Sequence, residues 1–63
     1  MAHVAEADLK GLLERLKTAQ RDLLITAAHA NALPTDGALR KVADLEGAIA
    51  ATEALMQEEK KRR

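Results

Sequence analysis

Sixty-three residues without a cysteine make one small domain whose core is too limited for comfortable stability on its own, and disulfides or thiolate metal sites are excluded as the remedy. Ten basic residues balance ten acidic ones, four against four in residues 1–30 and six against six in 31–63, so no global field draws the chain to nucleic acid or an anionic membrane. Phe, Tyr and Trp are absent, which removes the residues that stack bases, line most ligand pockets and dominate binding hot spots, and leaves recognition to aliphatic and charged groups.

The first element predicted is a helix over residues 5–30. Leu9, Leu12, Leu13, Leu16, Leu23 and Leu24 recur at helical spacing, with Ala19, Ala27 and Ala30 filling the stripe, while Lys10, Glu14, Lys17, Thr18, Arg21 and Asp22 take the other side. On a regular wheel the leucines spread over about 120°, wider than a coiled-coil seam and close to the face of a bundle helix. Ile25 points away from the stripe and reads as a lone surface residue or as part of a second contact. Residues 31–36 hold the turn: Pro34 disfavours helix at Leu33, Asn31 suits a left-handed helix end, and Thr35 or Asp36 can cap a new first turn. A connection this short makes the two helices antiparallel neighbours.

The second helix, predicted over 37–61, carries Ala38, Val42, Leu45, Ile49, Thr52 and Met56 at a 4-3-4-3-4 spacing. Folding about Leu33 sets Leu23 against Val42, Leu16 against Ile49 and Leu9 against Met56. Gln20 by Leu45 and Leu13 by Thr52 make softer layers, with a polar group at the seam's edge. Gly47 costs roughly 1 kcal/mol against Ala inside a helix, and with Ala48, Ala50, Ala51 and Ala54 it forms a small-residue surface. At the end, Glu58/Arg62 and Glu59/Arg63 are four apart in the favourable order, and the closing cations oppose the helix dipole.

The fold class expected is therefore all-α: a single antiparallel two-helix hairpin or coiled coil over residues 1–63, completing a four-helix bundle by dimerisation or by docking on a helical partner. Leu13 and Leu24 flank one side of the first helix and Leu39 and Leu55 lie off the second seam, so these four are the candidate partner interface. The partner is a second copy of the chain or another helical protein. Catalysis is not expected. His3 and His29 are the side chains best suited to acid–base work near neutrality, but His3 sits near the first residue and His29 on the polar side by the turn. No paired His or Cys supplies a metal site, no Gly-rich loop cradles phosphate and no Ser is present. No cofactor, metal or small-molecule substrate is expected. No apolar run approaches a membrane span, and the opening residues lack the apolar core of a signal peptide, so a cytoplasmic protein is expected.

A second class of function, a dimeric bundle binding nucleic acid, would use Arg15, Arg40, Lys41, Lys60, Lys61, Arg62 and Arg63. In size and layout the chain resembles the Rop-type regulators of plasmid copy number, dimeric four-helix bundles that bind paired RNA loops with basic residues and a Phe that this chain lacks. Residues 12–24, LLERLKTAQRDLL, the proline turn and residues 41–55, KVADLEGAIAATEAL, are also similar in order to the helical-hairpin co-chaperones of type III secretion needles. Both resemblances are of architecture rather than motif. They imply a bacterial or phage-like regulator or co-chaperone built as a hairpin.

Overall fold

A computed structural model describes residues 5–61. Two helices, α1 (Glu6–Ala30) and α2 (Asp36–Lys61), lie antiparallel in a rod of 47 × 17 × 17 Å. Local chemistry sets both ends of α1 and the start of α2. Ala5 starts α1 in extended conformation without a side-chain cap, its carbonyl accepting from the amides of Asp8 (3.0 Å) and Leu9 (3.2 Å). Glu6 and Asp8 in that turn face the positive end of the helix dipole. Asn31 ends α1 in the left-handed region, φ 53° and ψ 40°, and its amide donates to the Ala28 carbonyl at 3.2 Å. Of the two candidate caps for α2, Thr35 serves: its Oγ1 accepts from the Ala38 amide at 3.1 Å and its carbonyl from the Leu39 amide at 2.9 Å.

Burial picks out the seam. On α1 Glu6, Leu9, Leu13, Leu16, Gln20, Leu23 and Ala27, buried or half-buried, alternate steps of three and four, on α2 Ala38, Val42, Leu45, Ile49, Thr52, Met56 and Glu59 do the same, and half-buried Gly11 and Ala48 lie just beside the seam. This is the heptad seam of a coiled coil rather than the wider face expected from the leucines. Gln20 pins the register. Its Nε2 donates to the Val42 carbonyl (3.3 Å) and to the Glu46 carboxylate (2.8 Å), which sets Leu16 level with Ile49 and Leu23 level with Val42, as the fold about Leu33 requires.

The core is thin. Leu9, Ile49 and Thr52 are buried, at 5%, 6% and 6% exposure, and among the described residues no side chain is wholly enclosed. Thr52 corrects an expectation: it lies inside the seam rather than at its edge. The burial is tolerable because Oγ1 donates to the Ala48 carbonyl one turn back, at 2.7 Å, so no hydrogen-bonding capacity is stranded.

Candidate partner interface

Two helices meeting along one seam leave two flanks, and the polar contacts show that the flanks differ. Lys17 reaches Glu53 at 3.6 Å, and Gln20 reaches Glu46 on the same side. Along the seam's repeat, Lys10, Lys17 and Leu24 of α1 share this flank with Leu39, Glu46, Glu53 and Lys60 of α2. It is polar for most of its length and turns apolar near the connection, where Leu24 and Leu39 are each 49% exposed. Both partners of the Lys17–Glu53 pair are more than half exposed, so the pair contributes at most about 1 kcal/mol and serves chiefly to mark the flank.

The opposite flank carries Leu12, Ala19 and Thr26 from α1, with Lys41, Ala48 and Leu55 from α2. Leu12 and Leu55, 38% and 47% exposed, stand together near the open end of the hairpin. Toward the turn the same flank sinks into a groove of about 470 Å³ whose lining includes Ala19, Leu23, Thr26, Ala27, Ala30 and Ala38. The groove exists because small side chains face each other where the helices separate into the connection. Leu33, 93% exposed, stands at its rim.

Of the four interface candidates, the structure places Leu24 and Leu39 on the polar flank near the turn, Leu55 on the apolar flank near the open end, and Leu13 half-buried within the seam level with Thr52. By the seam's repeat Leu24 shares its flank with Leu39, and Leu55 shares the opposite flank with Leu12 rather than Leu13. Leu12, the groove, and the bridge from Gln20 to Glu46 escaped sequence reasoning. The signals for them were a heptad count in place of a straight wheel, and the alanines at 19, 27, 30 and 38 clustered about the turn.

The chain matches no family model, no curated protein and no solved structure.

Of the basic candidates, Arg40 and Lys41 lie at the turn end of α2, Lys60 and Lys61 at its other end, and Arg15 on α1. Nineteen residues separate Lys41 from Lys60, about 28 Å of helix, so these cations do not gather into one phosphate-binding face. Arg62, Arg63 and His3 lie outside the described residues. His29 is exposed in the last turn of α1. Among the described residues no group of three or more His, Cys, Asp or Glu side chains is placed to hold a metal ion, and no helix is long and apolar enough to cross a membrane.

Proposed function

We propose that the chain is a non-enzymatic helical interaction module, an adaptor, co-chaperone, regulator or inhibitor that acts by occupying a partner's surface. The observation that carries this reading is the placement of four half-exposed leucines, Leu12 with Leu55 and Leu24 with Leu39, in two patches beside a seam that cannot cover them. Patches of this kind on a helix pair are what a further helix covers in a bundle. Each buried leucine contributes roughly 1.5–3 kcal/mol to whatever covers it, whereas the dispersed cations offer phosphate a weak and salt-sensitive hold.

The test is a photocrosslinking residue placed in turn at positions 12, 24, 39 and 55 in cells that make the protein. Discrete protein adducts from at least one patch are expected, with none from the exposed outward position 25. Labelling as diffuse at the leucines as at 25, together with an affinity for nucleic acid that falls steeply with salt, would contradict the reading and favour the nucleic-acid alternative.

A further inference from the structure

The flank of Leu12 and Leu55 has an apolar knob at one end and an apolar hole at the other. Leu12 and Leu55 project near the open end, Ala19 and Ala48 lie at mid-length, and the groove over Leu23, Ala27 and Ala38 opens beside the turn. Leu12, Ala19 and Thr26 are successive seven-residue steps, each about 10.5 Å along α1. Leu12 thus stands as far from Ala19 on one side as Thr26, within the groove's lining, does on the other.

We propose that this flank is covered by a second copy of the chain, related by a two-fold axis that runs across both helices at the level of Ala19 and Ala48. The proposal rests on the reading of the chain as an interaction module and names its partner. A rotation about that axis seats Leu12 of each copy in the groove of the other and lays Leu55 over the alkyl part of Lys41. Alanines meet at the centre, which lets the helices approach closely.

Charge selects this axis over the other two-fold that would pair the same flanks. Arg15 and Asp22 lie along one edge of α1, four residues before Ala19 and three after, and line one shallow depression with it and with Glu14. Two helical turns separate them, too far to pair within one chain. The axis across the helices brings Arg15 of each copy beside Asp22 of the other, twice by symmetry. A two-fold along the rod would instead set Asp22 against Asp44 of the second copy and leave the grooves facing each other.

The experiment exploits the absence of cysteine. Ala19→Cys faces itself across the axis and should form a covalent dimer readily under mild oxidation, while Leu24→Cys on the other flank should not. L12E/L55E should weaken association more than about 100-fold, because carboxylates would enter an aliphatic contact, and R21E, on the exposed outer face of α1, should leave it unchanged. R15E should weaken it and R15E/D22R restore it. Should L12E/L55E fail to fold, the Ala19→Cys cross-link on the otherwise native chain still decides. A chain that stays monomeric, or that cross-links through Leu24→Cys and not Ala19→Cys, overturns the proposal. The interaction-module reading would outlive that result if adducts to a different protein form in cells, and would fall with it if none form.

Discussion

The Thr35 hydroxyl caps α2 as the acceptor for the Ala38 amide. Thr35→Ala is expected to lower stability by about 1 kcal/mol in chemical denaturation, the usual worth of a helix N-cap. Gly47 is the opposite case. A methyl group there would meet nothing within 4 Å, so Gly47→Ala should raise stability by about 0.5–1 kcal/mol through helix propensity alone. Thr52 tests whether its buried hydroxyl is structural: the Ala48 carbonyl it contacts belongs to the ordinary ladder of α2. Thr52→Val keeps the shape and removes the hydroxyl, and is expected to leave the melting midpoint unchanged or higher. A loss of more than about 1 kcal/mol would show that the hydroxyl holds the seam together.

At the scale of the helices, the ends were legible because their chemistry is local. Asn31, Pro34 and Thr35 announce a left-handed stop, a break and a cap within five positions, and the structure sets α1 and α2 within a residue or so of the spans expected. The seam of α2 was equally plain, since Val42, Leu45, Ile49 and Met56 carry the repeat in apolar residues. The seam of α1 was not. Gln20 occupies a core position with a polar side chain, so the leucines alone do not display the repeat. A straight wheel also drifts by about 20° per heptad from a supercoiled seam, which set Leu13 beside Leu24 when Leu13 belongs inside. Ile49 and Ile25 separate the two faces energetically. Ile49→Ala, at 6% exposure, should cost about 2–5 kcal/mol, and Ile25→Ala, at 38% exposure on the outer face, under about 1 kcal/mol. Equal losses would place Ile25 in a second contact.

For the whole molecule, the sequence already implied a shortfall: an apolar face too wide for one partner helix and a chain too short for a self-sufficient core. Where the surplus lies was not legible, because it depends on which flank the polar bridges take, and those join side chains far apart in sequence. The structure resolves the surplus into a patch of Leu24 with Leu39 and a longer apolar flank from Leu12 and Leu55 to the groove. If the flank is covered by a second copy, stability is linked to concentration, since association favours the folded state alone. Sedimentation equilibrium over about a hundredfold range of concentration, with thermal unfolding of the same samples, tests this most directly. The account requires twice the chain mass at the upper end and a melting midpoint that climbs with concentration. Monomer mass throughout, with a midpoint that does not move, would contradict it.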